Sequence, residues 1–447
     1  PIPHVFAIIA VILIFIGAFW AGLNWRSMPY AWEKTNTSTS SNAEQNDNQS
    51  ISTGVLTPTQ SGTDVTPTTA VNENTQNDVI DSIIANMDLQ EKIGQMFIVS
   101  FTGTNVSADL ITLVQDYHVG GVILFSENIQ DDKQLLALLN GIKALNEGNK
   151  LPILISTDQE GGRISRLPSR ATKFPSNLII GKKNSATLSY QIGSILGTEM
   201  KAYGFNMDFA PVLDVVTNPQ NTVIGDRSFG SNPNLVSTLG VATMKGISSS
   251  GVIPVVKHFP GHGDTSVDSH QELPVSNATL PQLRSFELLP FEKAIQNGAS
   301  VVMVAHIKFP NVDPSGLPAS LSEVFISDIL RNELGFSGVV ITDDLHMEAI
   351  TKHYSVGDAA IKAVQAGADV VLVCHSLDEQ EQAINALVNA VKTGQISEER
   401  INESIKRIAM LKQHYDLTDE PSSIAAVLSE VGTDEHADVA DEASVAP

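Results

Sequence analysis

The feature that most constrains this chain is an alternation that persists from Asp78 to Tyr415. Short apolar, β-branched runs recur there: IGQMFIVSF, GGVILFS, LPILISTDQ, MDFAPVLDV, IPVVKHFP, SVVMVAHI, GVVITDD and VVLVCHS. Between them lie longer stretches of helical periodicity, such as LLALLNGIKALN, SYQIGSILGTEMKAYGF, LRSFELLPFEKAIQNG and GDAAIKAVQAG. Near-continuous apolar strands separated by helices predict a parallel sheet buried on both faces. Eight such strands close a (β/α)8 TIM barrel, and an open doubly wound sheet is the alternative. Gly204, Gly251, Gly298 and Gly367 stand where helix C-terminal caps are expected. The expected fold class is therefore α/β, a single barrel over residues 78–415.

The flanks read differently. Val5 to Leu23 carries no charge and is long enough to span a bilayer, with Trp20, Trp25 and Tyr30 placed for the interface. Residues 1–32 are thus expected to be a membrane anchor, with a cleaved signal segment as the alternative. Arg26 and Lys34 follow the span, which the positive-inside rule makes awkward for an exported domain. Residues 33–77 are rich in Ser, Thr, Asn and Gln and should form a disordered linker. An anchor, a polar spacer and then a globular domain suit display of that domain outside the cell, tethered at the membrane or secreted after cleavage. Residues 416–447 contain no Lys or Arg and are expected to be a disordered acidic tail.

Charge and cysteine content exclude whole classes. A net charge of −23 argues against a nucleic-acid partner, because little here would neutralise phosphates. The single cysteine, Cys374, rules out an internal disulfide, and its apolar run VVLVCHS marks a buried thiol rather than a nucleophile.

Barrel chemistry sits at the C-terminal ends of strands, and polar residues collect there. Asp158 and Glu160 follow the third run, Asp214 lies in the fourth, and Lys257 and His258 come after the fifth. His306 ends the sixth run, Asp343 and Asp344 end the seventh, and His375 ends the eighth. Buried charge at the end of an apolar strand is unfavourable unless a site uses it. The densest stretch is KHFPGHGDTSVDSH, Lys257 to His270. Its His258, His262, Asp264, Asp268 and His270 raise the alternative of a metal-dependent hydrolase, although their spacing on a glycine-rich loop is loose.

DQEGGRISR, FAPVLDV, IGDRSFG, KHFPGHGDTSVDSH and VVITDDLHM occur in that order, and together they resemble the motif set of glycoside hydrolase family 3. The likeness is greatest to its bacterial β-N-acetylglucosaminidases and covers residues 78–415. The resemblance implies a retaining enzyme, without metal or other cofactor, that removes terminal β-linked N-acetylglucosamine from peptidoglycan fragments or chitooligosaccharides. The implied partner is a carbohydrate and the implied state a monomer. Within the family the alternatives are a β-glucosidase or an N-acetylglucosamine phosphorylase; outside it, a carbohydrate-binding protein without turnover.

Retaining glycosidases need a carboxylate nucleophile and a proton donor about 5 Å apart in carboxyl pairs. By sequence alone Asp343 and Asp344 compete as nucleophile, and strand alternation would turn only one toward the mouth. The resemblance selects Asp343 and leaves Asp344 a structural acid. It also assigns the proton donor to an Asp–His pair, Asp268 and His270, in place of a second carboxylate. A histidine can give and take a proton near neutral pH while a carboxylate orients it. Sugar binding falls by resemblance to Asp158, Arg166, Arg227, Lys257 and His258, the last four as donors. A salt bridge to a loop acid is the alternative for Arg166 and Arg227. Glu160 is expected to shape its loop, Met347 to line the pocket, and Gly261 and Gly263 to let the PGHGDT segment flex.

Overall fold

In the computed structural model, which describes residues 73–265, 269 and 272–445, each apolar run becomes a strand. They are β1 (Phe97–Val99), β2 (Gly121–Ile123), β3 (Leu154–Thr157), β4 (Met207–Asp208), β5 (Ile253–Phe259), β6 (Val301–Val304), β7 (Val339–Thr342) and β8 (Val371–Val373). All pairings are parallel, in the order β7-β6-β5-β4-β3-β2-β1-β8. The two edges of this sheet also meet. Ile341 and Val370 form an isolated parallel bridge, and the Thr342 N–H donates to the Val370 carbonyl at 3.1 Å. The sheet is thereby nearly closed into a barrel, and the open-sheet alternative falls away.

Every strand residue is buried, which is why the runs lack polar alternation: one face fills the barrel and the other packs under helices. Helices return the chain between strands and end as expected. The helix Ala186–Tyr203 stops at Gly204 (φ 112°) and Val356–Ala366 at Gly367 (φ 116°), left-handed positions that glycine occupies without a Cβ clash.

The C-terminal segment departs from expectation. Residues 416–445 are not a disordered tail: they carry helices Ile424–Glu430 and Asp434–Ser444. Val427, Ala440 and Ala443 are buried. Buried Glu199, on the long helix Ala186–Tyr203, accepts from the Gly432 N–H at 2.9 Å and lies 2.9 Å from His436 Nδ1. The acidic composition masked a sparse apolar face and a polar dock on the barrel. At the other end, the helix Glu73–Ala85 begins inside the expected linker. The proposed span Val5–Leu23 lies outside the described residues, among which no helix is long and apolar enough to cross a membrane.

Candidate active site

The C-terminal ends of the strands open onto a cavity of about 380 Å3. Asp158, Arg166, Arg227, Lys257, His258 and Asp343 all line it. Asp268 and His270 lie outside the described residues. On β5 the register against β6 shifts between Val256 and Phe259, an irregularity of the kind that re-aims side chains near sites. Lys257 and His258, joined by a cis peptide bond, both line the cavity, where strict alternation would turn one away.

One wall is a buried chain of ions. Lys257 Nζ lies 2.5 Å from Asp158 Oδ1 and 2.8 Å from Glu160 Oε1. Arg227 grips Glu160 with two parallel bonds, Nε to Oε2 at 2.9 Å and Nη2 to Oε1 at 2.7 Å. The side chains of Lys257 and Glu160 are 2% and 1% exposed, so neither ion could persist without the others. Burial works against the Lys257 charge, but Asp158 and Glu160 outweigh it and hold its pKa above the usual lysine value. Burial likewise opposes the Glu160 charge, and Arg227 with Lys257 holds that carboxyl well below the usual range. Glu160 is therefore more than a loop-shaping residue: it is the counter-ion that lets two cations face one cavity. The sequence signal was available, since an acid beside two glycines at a strand end had to find a cation.

Behind this wall Asp214, fully buried in the loop after β4, collects three bonds. His258 Nδ1 lies 2.6 Å from its Oδ2, and the N–H groups of His262 and His258 reach Oδ1 at 2.7 and 3.3 Å. Burial raises its pKa, but His258 and His262 together outweigh this and the net shift is downward. Arg227 Nη2 stands 3.4 Å from His258 Nε2. The 2.6 Å contact with Asp214 fits a proton on His258 Nδ1.

The PGHGDT segment is packed rather than hinged. His262 is buried, with Nδ1 at 2.7 Å from Thr265 Oγ1 and Nε2 at 3.3 Å from Ser269 Oγ. Burial lowers its pKa and favours the neutral ring. A Cβ on Gly263 would sit 1.8 Å from the Val215 carbonyl oxygen, so glycine here answers a close approach. Ser269, which stands between Asp268 and His270 in sequence, is buried, and its carbonyl accepts from the Ala349 N–H at 3.3 Å. That bond ties the β5 loop to the short helix Glu348–Thr351 that follows β7.

Asp343 and Asp344 both line the cavity, because β7 ends at Thr342 and strand alternation ends with it. Their bonding separates them. Asp344 Oδ1 accepts from the N–H groups of His346 at 3.0 Å and Cys374 at 2.9 Å, fastening the β7 loop to β8. Burial raises the Asp344 pKa against those two bonds, and the neighbouring Asp343 charge adds to the rise. Asp343 Oδ1 accepts a local bond from the Asp344 N–H at 2.9 Å. Cys374 is buried and burial pushes its thiol well up, consistent with a structural residue.

Arg166 donates from Nη1 to Ser126 Oγ at 3.2 Å, while its buried Nε has no partner among the described residues; among those residues the alternative of a salt bridge is met by Arg227, with Glu160, and not by Arg166. Asp208, which sequence reasoning passed over, lies beneath the ion wall with Oδ1 bonded to the Gln159 N–H at 2.9 Å and Oδ2 unpartnered. Burial pushes the pKa of this acid well up. Met347 lines the cavity as expected. Among the described residues, no group of three or more His, Cys, Asp or Glu side chains is arranged to hold a metal ion.

Against known proteins, residues 88–411 match the model of the glycosyl hydrolase family 3 N terminal domain. Beta-hexosaminidase A of Pseudoalteromonas piscicida is 36% identical over 356 residues, covering 74% of this chain and 59% of that protein. Beta-hexosaminidase of Nitrosomonas eutropha is 38% identical over 304 residues, 66% of this chain and 86% of that one. The solved family 3 β-N-acetylglucosaminidase of Paenibacillus sp. superposes with a TM-score of 0.75 at 41% identity, covering 80% of this chain and 68% of that structure.

Proposed function

The chain belongs to glycosyl hydrolase family 3, and from that premise we propose that it is a retaining exo-β-N-acetylglucosaminidase. Its substrates would be peptidoglycan fragments or chitooligosaccharides that end in β-linked N-acetylglucosamine. The observation that carries this reading is the pairing of Asp343 with the ion wall across one cavity. A carboxylate at the end of β7 and charged groups at the ends of β3 and β5 line the same cavity. Such a wall offers donors and acceptors to sugar hydroxyls. Charged hydrogen bonds to a desolvated sugar contribute about 1.5–3 kcal/mol each.

The chemistry proceeds in two displacements. The Asp343 carboxylate attacks the anomeric carbon and the bond to the leaving oxygen breaks. That oxygen takes a proton from the His270 imidazolium, with Asp268 orienting the ring. Water then attacks the glycosyl-Asp343 ester, His270 takes the water's proton, and the carboxylate departs. The roles of Asp268 and His270 rest on sequence alone. The names of the two curated relatives and of the Paenibacillus structure support N-acetylhexosamine over glucose. The uncharged stretch Val5–Leu23 and the polar linker support a tether that holds this domain on the cell-wall side, which surface proteolysis of intact cells would test.

The deciding experiment compares 4-nitrophenyl β-N-acetylglucosaminide with the corresponding glucoside. Preference for the glucoside would overturn the substrate assignment. His270→Ala should slow poor leaving groups far more than activated aryl glycosides; equal losses on both would remove its role as the acid.

A further inference from the structure

The loop after β5 holds a histidine that the chemistry above does not use. His262 is 2% exposed, and a polar ring at that depth is unfavourable unless its nitrogens are bonded. An apolar side chain would fill the same space without that demand. Both partners come from the same loop: Thr265 Oγ1 lies 2.7 Å from Nδ1, and Ser269 Oγ lies 3.3 Å from Nε2. Hydroxyls donate or accept, so a neutral ring is satisfied in either tautomer. The ring is thus a crosspiece between residues 265 and 269.

The near end of the crosspiece is fixed from the barrel. The His262 N–H donates to Asp214 Oδ1 at 2.7 Å, and the other oxygen of that carboxylate holds the His258 ring at 2.6 Å. His258 lines the cavity, and its ring stands edge-on to that of His262, 6.1 Å between centroids at 74°. The His262 carbonyl accepts from the buried Asn221 amide, in the loop after β4, at 2.7 Å. One carboxylate therefore ties a cavity-lining histidine to the base of the crosspiece.

The far end is Ser269, also buried, whose carbonyl accepts from the Ala349 N–H at 3.3 Å. Ser269 is thus held between the β5 loop and the short helix that follows β7. In sequence it is flanked by Asp268 and His270, and covalent geometry keeps successive Cα atoms about 3.8 Å apart. We propose that His262 is a positioning residue for proton transfer: by holding Ser269, its ring sets the place from which the Asp268–His270 pair reaches the departing oxygen. The bond from His262 to Ser269 is long, so its loss should cost the fold little. A misplacement of about 1 Å, by contrast, can slow a reaction about 10²-fold. This inference rests on the N-acetylglucosaminidase reading, with His270 as its acid.

The test compares kcat/KM for N,N′-diacetylchitobiose, whose leaving oxygen needs a proton, with that for 4-nitrophenyl β-N-acetylglucosaminide, whose nitrophenolate departs without one. His262→Phe keeps the bulk of the ring and removes both nitrogens, and Ser269→Ala removes the hydroxyl at the other end. Each should lower the ratio of disaccharide to aryl glycoside by roughly tenfold. The double variant should lower it no further than the larger single effect, because both changes break the same bond. If His262→Phe does not fold, Ser269→Ala decides alone. An unchanged ratio, equal losses on both substrates, or effects that multiply in the double variant overturn the positioning role. His270→Ala, measured alongside, separates the outcomes: a selective loss there without one in Ser269→Ala overturns this inference alone. A wild-type protein that cleaves neither substrate overturns the N-acetylglucosaminidase reading, and a wild-type ratio in His270→Ala removes its acid; either takes this inference with it.

Discussion

The barrel buries ions at both of its ends, and the two clusters behave differently. At the base, Asp369 precedes β8 and is wholly buried. It takes Arg331 Nη2 at 2.6 Å, Arg407 Nη1 at 3.0 Å, Ser404 Oγ at 2.7 Å and the Val340 N–H at 3.0 Å. Arg331 and Arg400 also donate to backbone carbonyls of Phe336, Gly338, Gly367, Val364 and Ala368, and Arg400 Nη1 donates to Ser404 Oγ at 2.6 Å. At the mouth, Lys257, Glu160 and Arg227 are as deeply paired, yet they line a cavity, and Arg166 Nε beside them has no described partner. Burial of charge therefore does not distinguish a site from a brace. What distinguishes it is the open cavity that the charged groups at the mouth line.

That contrast can be broken from either end. The largest effect is expected at the mouth: Asp343→Asn should lower kcat/KM by about 10⁴-fold or more, the scale seen when a nucleophile is removed, with little change in the urea unfolding midpoint. A loss under about tenfold would move the nucleophile to Asp344. At the base, Asp369→Ala strands the arginines around it and should remove about 3–5 kcal/mol of stability in urea unfolding. The folded fraction should keep its kcat/KM, and a selective loss of activity would erase the distinction between the two clusters.

Glu160→Gln sharpens the comparison through pH. The folded-state pKa of Glu160 lies below its ordinary 4.5, so its stabilisation is complete above that value and is lost as pH falls below it. The variant should be less stable than wild type by about 2 kcal/mol near neutrality, and the gap should narrow on acidification below 4.5; a gap that widens would contradict the ion wall. The smallest effect is expected on the flank. Deleting residues from Ile424 onward uncovers the contacts of Val427 and Ala443 and should cost about 1–2 kcal/mol, measured by thermal unfolding, with activity retained.

The barrel was legible because each strand had to be apolar on both faces, so eight runs stood out against helical spacing. The positions of Asp158, Lys257, His258 and Asp343 followed from strand ends. Asp343 and Asp344 could not be told apart by alternation, because the strand stops one residue earlier and the backbone N–H groups of His346 and Cys374, which hold Asp344, come from distant loops. Glu160, Asp208 and Asp214 were harder for a related reason: their partners lie on other strands, and only closure of the barrel brings them together. The glycines of PGHGDT looked like a hinge, yet Gly263 is set by a carbonyl of the β4 loop. The C-terminal helices were hidden by composition, since a few buried alanines and valines carry little signal among so many acids.

The central claim is that Asp343 forms the glycosyl ester. It is tested most directly by reacting the protein with a slow 5-fluoro-N-acetylglucosaminyl substrate and mapping the adduct by peptide mass spectrometry. The account predicts one sugar, carried by Asp343 and released on dilution into water or an acceptor. A sugar on Asp344, or turnover with no covalent adduct and an inverted product, would contradict it.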